Sequence, residues 1–107
     1  MTKIFAHRGA SAYAPENTME SFELAAKQGA DGIELDVHVT KDGEVVVTHD
    51  EKIDRVSNGS GFIKDMTLRE LKRLSFHNHM ESYVGAGIPT LREVLEYVST
   101  TNMDVNI

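Results

Sequence analysis

The sequence predicts an α/β protein, because strand-type and helix-type segments follow one another along its 107 residues. Three observations support this fold class. An apolar run at residues 3–6 and an alternating segment at 33–39 are typical of strands. The motif Thr-Leu-Arg-Glu occurs twice and is typical of helix starts. The predicted order is strand, helix, strand, an intervening segment, helix and strand.

The composition is that of an ordinary soluble globular protein, since 40% of the residues are apolar and 26% are charged. The length suits one small domain, and no shift in composition marks a boundary. The net charge of −6 argues against a nucleic-acid partner bound through diffuse basic attraction. The lack of cysteine excludes disulfides and thiolate metal sites. No stretch approaches the ~20 apolar residues that span a bilayer, so we expect a cytoplasmic protein without stable membrane insertion.

The first strand and the first helix are predicted from neighbouring segments. The apolar run at 3–6 predicts a buried strand with polar residues at its carboxyl end. Asn17 is a good N-cap residue, and Glu20 three positions later completes a capping-box pattern. Apolar residues then recur at helical spacing, at Met19, Phe22 and Ala26. Gly29 fits the position just past the end of this helix.

A β-hairpin is predicted next, with one arm at 33–39, a turn at 41–43 and a β-branched run at 45–47. Side chains of a strand alternate between its two faces, so Glu34 and Asp36 share one face. The antiparallel arms indicate that this part of the sheet is not purely parallel.

The register of this hairpin decides where His49 lies. If Thr40 pairs with Glu44, antiparallel counting places Thr48 opposite Asp36 and His49 one step further along. A shift of one residue would turn His49 onto the carboxylate face. The direction of this side chain stays open from the sequence.

Two further helices and the start of a strand are predicted in the second half of the chain. The capping boxes place the helix starts at Thr67 and Thr90. Residues 50–89 are long for a plain connection, so we interpret them as an insertion in a simpler α/β pattern. Residues 103–107 have the character of a strand that is beginning.

Glu34 and Asp36 are the first candidates for a functional site. Two carboxylates on one strand face can converge on a hard cation, and oxygen ligands suit Mg²⁺ or Ca²⁺. The alternative is the polar face of a solvent-exposed strand, which is at least as common. The pattern alone leaves both interpretations open.

His7 and Arg8 end the first strand, and His49 follows the second arm of the hairpin. Histidine exchanges protons near neutral pH, and arginine offers planar donors for phosphate oxygens. The alternatives are a structural pair between Arg8 and a carboxylate such as Glu16, and surface histidines without a role. However, every candidate lies at or near the carboxyl end of a strand, where α/β folds place their active sites. This coincidence favours an enzyme.

An ordered series of short motifs runs through essentially the whole chain. It consists of Ala6-His7-Arg8-Gly9, Pro15-Glu16-Asn17-Thr18, Ser21-Phe22, Gly29-Ala30-Asp31, Ile33-Glu34-Leu35-Asp36-Val37, Thr40-Lys41-Asp42-Gly43, Val46-Val47-Thr48-His49-Asp50, Arg55, Gly61 and Ile88-Pro89-Thr90-Leu91-Arg92-Glu93. With this series the sequence resembles the opening part of a glycerophosphodiester phosphodiesterase. The series is far more specific than any single motif in it.

The resemblance implies the fold and the reaction. The expected fold is the N-terminal portion of a (β/α)₈ TIM barrel, with a small insertion after the second strand, at about 50–89. The expected reaction is the metal-dependent hydrolysis of glycerophosphodiesters to glycerol 3-phosphate and an alcohol. The partner is then a small-molecule phosphodiester.

The resemblance also implies roles for individual residues. His7 and His49 match the family's acid and base histidines, and Arg8 matches an arginine that contacts the phosphate. Glu34 and Asp36 match two of three carboxylates that bind a divalent metal, Mg²⁺ or Ca²⁺. Glu16 matches a further position at the site whose role is not specified.

The same resemblance predicts that the site is incomplete within these residues. The third metal carboxylate is expected just past Ile107, and a complete barrel takes about 250 residues. We therefore expect 107 residues alone to be poorly folded, homo-oligomeric or inactive. Two alternatives remain open: a related barrel phospholipase acting on lipid headgroups, and a non-catalytic binding module.

Overall fold

The computed structural model describes residues 3–107. The strands are β1 Phe5–His7, β2 Gly32–Glu34, β3 Val37–Val39, β4 Val45–Val47 and β5 Asp104–Asn106. The parallel sheet has the order β1-β2-β5, and an antiparallel hairpin joins β3 to β4. The α-helices are α1 Met19–Lys27, α2 Leu68–Lys72 and α3 Leu91–Val98, and 3₁₀ turns cover Ile63–Asp65 and Glu81–Tyr83. None of the described helices has the length and apolar character needed to cross a membrane.

Helices α1 and α3 pack with the parallel sheet around one apolar core. Phe22 of α1, Val94 of α3 and Ile33 of β2 are each fully buried in it. Truncation of a buried aromatic such as Phe22 to alanine typically costs about 3–5 kcal/mol of folding free energy. This core fixes the sheet whose carboxyl ends carry the polar candidates.

The segment 50–89 builds a second apolar core beside the hairpin. Its members are Val46, Ile53, Val56, Ile63, Leu71, Phe76 and Ile88. The segment consists of loops, 3₁₀ turns and the short helix α2, and none of the named strands lies within it. It therefore covers one side of the hairpin without extending the parallel sheet. Its interpretation as an insertion stays a prediction.

The expectation of one continuous strand over 33–39 is wrong. The strand is interrupted at Leu35 and Asp36, because β2 belongs to the parallel sheet and β3 to the antiparallel hairpin. The Leu35 amide still donates to the carbonyl of Asn106 at 3.0 Å, whereas the Asp36 carbonyl already accepts from the Thr48 amide at 2.9 Å. The chain thus changes pairing partners between two consecutive residues.

The predicted hairpin register is confirmed. Val37 pairs with Val47 and Val39 with Val45, so that Thr40 faces Glu44, and the Thr40 amide donates to the Glu44 carbonyl at 2.8 Å. Thr48 accordingly lies opposite Asp36, as the antiparallel count predicts.

The predicted start of α1 is wrong by one residue. Thr18 is the N-cap: its side chain accepts from the Ser21 amide, and the Ser21 hydroxyl accepts from the Thr18 amide, both at 3.2 Å. Asn17 cannot cap the helix because its backbone is left-handed, with φ of 55°, whereas an N-cap residue is extended. The predicted end is confirmed, since Gly29 follows the helix with φ of 79°.

Both helix starts in the second half are confirmed. Thr67 and Thr90 each cap a helix, and each forms a reciprocal capping box with the glutamate three positions later. The predicted final strand is present as β5, which pairs in parallel with β2.

The expectation that the first strand is buried is wrong. Ile4 is 67% exposed and Phe5 is 37% exposed. The reason is that β1 lies at the edge of the described sheet, with β2 as its partner there. An edge strand has a neighbouring strand along one side only, so its other side stays open to solvent.

Candidate active site

Parallel pairing brings the first histidine and the first carboxylate together. His7 and Glu34 occupy matching positions at the carboxyl ends of β1 and β2. Nδ1 of His7 lies 3.1 Å from Oε1 of Glu34. Because an ionised carboxylate only accepts hydrogen bonds, His7 must carry its proton on Nδ1 in this contact. Asn106 of β5 donates to the other oxygen of Glu34 at 3.5 Å, so three strand ends meet here.

A left-handed turn directs Arg8 toward the same region. Arg8 and Gly9 have φ of 57° and 81°, a conformation that costs energy for a residue with a side chain. The Arg8 carbonyl accepts from the Asn17 amide at 2.8 Å and from the Ser21 hydroxyl at 3.2 Å, which holds the turn in place. Such a strained backbone, supported by its surroundings, is typical of functional sites.

The side chain of Arg8 lies between two carboxylates. Its Nη1 donates to Oε2 of Glu16 at 3.3 Å, and its Nε is 3.8 Å from Oδ2 of Asp36. The Nε atom is buried and has no hydrogen-bond partner among the described residues. The structural pair between Arg8 and Glu16, considered as an alternative above, is therefore present together with the contact to Asp36.

His49 is held by a carboxylate of its own. Its Nδ1 lies 2.8 Å from Oδ1 of Asp50, so this contact again requires a proton on Nδ1. Nε2 of His38 donates to the carbonyl of His49 at 2.8 Å and anchors the backbone. In residues 3–107 no direct hydrogen bond or ion pair joins His49 to Glu34 or Asp36. The described contact of the His49 ring is therefore with its neighbour Asp50.

Arg55 links Asp50 to Glu16. It donates to both oxygens of Glu16 at 2.8 and 2.9 Å and to both oxygens of Asp50 at 2.9 and 3.2 Å. A continuous series of contacts therefore runs from His49 through Asp50, Arg55 and Glu16 to Arg8. We call these five residues the ion network, and its far end reaches Asp36.

The charges of the ion network reinforce one another. Hydrogen bonds from Arg55 and then His49 lower the pKa of Asp50 from 3.8 to about 2. Burial alone would raise the pKa of Glu16, but the contacts with Arg55 and Arg8 outweigh it, and the pKa is lowered. The contacts with Glu16 and Asp50 raise the pKa of Arg55. All three groups are therefore charged at neutral pH.

Sequence reasoning assigned no role to Asp50 and Arg55, although both lie in the motif series. The adjacency of His49 and Asp50 was the available signal for a histidine with its own carboxylate. The contact between Arg55 and Glu16 spans 39 positions and has no local signature. Only the tertiary structure reveals that the two ends of the network meet.

The donor set for a metal ion is partial. The carboxylates of Glu34 and Asp36 are hard oxygen donors of the kind that Mg²⁺ and Ca²⁺ prefer. Across residues 3–107, however, no group of three or more histidine, cysteine or acidic side chains is arranged to hold a metal. The residues therefore fit a divalent cation in chemistry but supply only part of its ligands.

Comparisons with known proteins place the chain in a single group. The model of the glycerophosphoryl diester phosphodiesterase family matches residues 7–107. A glycerophosphodiester phosphodiesterase from Caldanaerobacter subterraneus subsp. tengcongensis is 51% identical over 107 residues, which cover 99% of this chain and 44% of that protein. The chain thus spans less than half the length of this relative.

Solved structures agree with the sequence comparison. A phosphodiesterase from Oleispira antarctica, in complex with the product sn-glycerol-3-phosphate, matches with a TM-score of 0.94 and 39% identity, covering 99% of this chain and 43% of that one. A glycerophosphodiester phosphodiesterase from Agrobacterium tumefaciens matches with a TM-score of 0.93 and 42% identity, covering 98% and 46%. The predicted fold is confirmed: the described residues form the N-terminal portion of a TIM barrel.

Proposed function

Since the chain belongs to the glycerophosphoryl diester phosphodiesterase family, we propose that the full-length protein hydrolyses glycerophosphodiesters to glycerol 3-phosphate and an alcohol in a metal-dependent reaction. The observation that carries this proposal is the pair of imidazoles at the strand ends, each with Nδ1 on a carboxylate. His7 contacts Glu34 at 3.1 Å and His49 contacts Asp50 at 2.8 Å. Arg8 lies at the same edge of the sheet.

The two histidines supply the proton transfers. With Nδ1 protonated and engaged by a carboxylate, each ring presents Nε2 as the atom that takes or gives a proton. One of His7 and His49 removes the proton from the nucleophile as it attacks phosphorus. The other donates a proton to the alkoxide that leaves, so the alcohol departs neutral.

Arg8 supplies positive charge for the phosphate. A guanidinium offers planar donors that match the non-bridging oxygens, on which negative charge grows during phosphoryl transfer. Glu16 and Asp36 flank this guanidinium and keep it at the strand ends. The left-handed turn, held by the bonds from Asn17 and Ser21 to the Arg8 carbonyl, contributes to the same placement.

Glu34 and Asp36 are the residues of this chain that would hold the metal ion. When bound, a divalent cation acts as a Lewis acid and as a template for the phosphate. The remaining ligands must come from outside the described residues, and Mg²⁺ and Ca²⁺ are both compatible with the carboxylates. A cytoplasmic location and the absence of nucleic-acid partners stay predictions from composition and charge.

The test uses the full-length protein with a soluble glycerophosphodiester, and it measures the release of glycerol 3-phosphate. We expect turnover that a chelator abolishes and that Mg²⁺ or Ca²⁺ restores. Faster hydrolysis of intact lipid than of the soluble diester would favour the phospholipase alternative. No hydrolysis of either substrate, with metal present, would favour the binding module and refute the proposal.

A further inference from the structure

Arg55 connects the two carboxylates that contact Arg8 and His49. One edge of its guanidinium, Nη1 and Nη2, donates to Glu16 at 2.8 and 2.9 Å. The other edge, Nε and Nη2, donates to Asp50 at 2.9 and 3.2 Å. A planar group with five donors can serve two carboxylates in this way, whereas a lysine ammonium cannot reproduce the geometry.

This contact differs from an ordinary surface ion pair in two respects. The side chain of Glu16 is 9% exposed, whereas the pairs that contribute little to stability are solvated on both sides. The contact also joins positions 39 residues apart, so it fastens the segment after β4 to the loop after β1. Loss of Arg55 would leave Asp50 without the donor that fixes its carboxylate plane.

We propose that Arg55 is a positioning residue of the hydrolytic site, an inference that rests on the function proposed above. By holding Asp50, it keeps a carboxylate on Nδ1 of His49, which fixes the tautomer that leaves Nε2 for proton transfer. By holding Glu16, it keeps the counter-charge of Arg8 at the strand ends. Arg55 acts through these neighbours and not on the substrate.

A kinetic test compares Arg55→Ala and Arg55→Lys in the full-length protein. Removal of a second-layer partner typically lowers activity by about 10–100-fold, and we expect this loss in kcat with a smaller change in KM. Added guanidinium ion should restore part of kcat in Arg55→Ala. Arg55→Lys should be intermediate, because it keeps the charge but serves one carboxylate at a time. Arg69→Ala on the exposed side of α2 is the matched control, with unchanged kcat and no response to guanidinium.

A spectroscopic test measures the His49 tautomer directly. In protein labelled with ¹⁵N-histidine, the His49 signals are assigned by their loss in His49→Asn. In the wild type we expect the proton on Nδ1, and in Arg55→Ala a shift toward the form with the proton on Nε2. This measurement needs no turnover, so it is independent of the proposed reaction.

Each outcome decides the proposal. A kcat of Arg55→Ala equal to that of the wild type overturns it, and so does a lower kcat with an unchanged His49 tautomer. If the wild type hydrolyses no glycerophosphodiester, the proposed function fails and the tautomer comparison alone decides on Arg55. Should Arg55→Ala fail to fold, Arg55→Lys provides the same two measurements.

Discussion

The two histidine–carboxylate pairs have the same local geometry but are held in place by different forces. His7 and Glu34 meet because β1 and β2 pair in parallel, and their side chains are 65% and 42% exposed. His49 and Asp50 are neighbours in the chain, and an arginine fixes their orientation. One pair therefore depends on backbone register, and the other depends on a network of side-chain charges. Changes to the sheet and changes to the network should affect them separately.

Removal of either imidazole should have the largest effect, and it tests whether both histidine–carboxylate pairs are needed for turnover. We expect His7→Asn and His49→Asn to lower kcat of the full-length protein by about 10²–10⁴, because each would remove a general acid or base. The control is His79→Asn, a loop position whose left-handed φ of 63° suits asparagine. Near-normal turnover in either of the first two variants would remove that histidine from the mechanism.

A methyl group at Gly32 should disturb the pairing of β1 with β2, which brings His7 to Glu34. A Cβ there would approach the Phe5 ring at 2.5 Å and the Asp104 carbonyl oxygen at 2.8 Å, so the ring must turn away and β2 must shift against β5. Overpacking of this kind costs about 1–3 kcal/mol, which a denaturant titration of Gly32→Ala in the full-length protein would measure.

The matched control for this change is Gly87→Ala, since no atom lies within 4 Å of the added Cβ. We expect the His7 imidazole signals to move in Gly32→Ala and the His49 signals to stay. Equal unfolding midpoints in the two glycine variants would show that the parallel strands are not closely packed at Gly32.

Loss of the Asp50 charge, which holds the His49–Asp50 pair, should lower the free energy of unfolding by an amount that depends on pH. The folded pKa of Asp50 is about 2, below its ordinary 3.8, so its contribution to stability is present above pH 3.8 and is lost as the pH falls toward 2. Because the group is partly solvated, we expect Asp50→Asn to cost about 1 kcal/mol at neutral pH.

Unfolding free energies of the wild type and Asp50→Asn in the full-length protein should therefore converge as the pH falls from 4 toward 2. Asp65→Asn, an exposed carboxylate on a 3₁₀ turn, makes the same change in charge and serves as the control. A difference between wild type and Asp50→Asn that stays constant with pH would show that the ionic contacts of Asp50 do not stabilise the fold.

Local signals were sufficient for much of the fold. The turn at 41–43 sets the pairing of Thr40 with Glu44, and that pairing propagates along the hairpin to Thr48. The capping boxes at Thr67 and Thr90 satisfy backbone amides of their own helix starts through contacts over three residues. In each case the deciding interactions join residues that are close in sequence.

The errors occurred where a distant contact decided the outcome. The break at Leu35 follows from an exchange of pairing partners, which an alternating pattern does not encode. Both Asn17 and Thr18 have side chains suited to capping, and the backbone bond from Asn17 to Arg8 holds Asn17 in the left-handed conformation that leaves the cap to Thr18. The contact between Arg55 and Glu16 could not be predicted for the same reason, because the two residues lie far apart in the sequence.

That link also has a consequence for the order of folding. The hairpin closes a short loop, so His49 can reach its place near Asp36 early, whereas the contact of Arg55 with Glu16 closes a loop across 39 positions. Closing a longer loop costs more chain entropy, and non-local contacts slow folding. We therefore expect the His49 ring to settle on Asp50 late, after the backbone around it has formed.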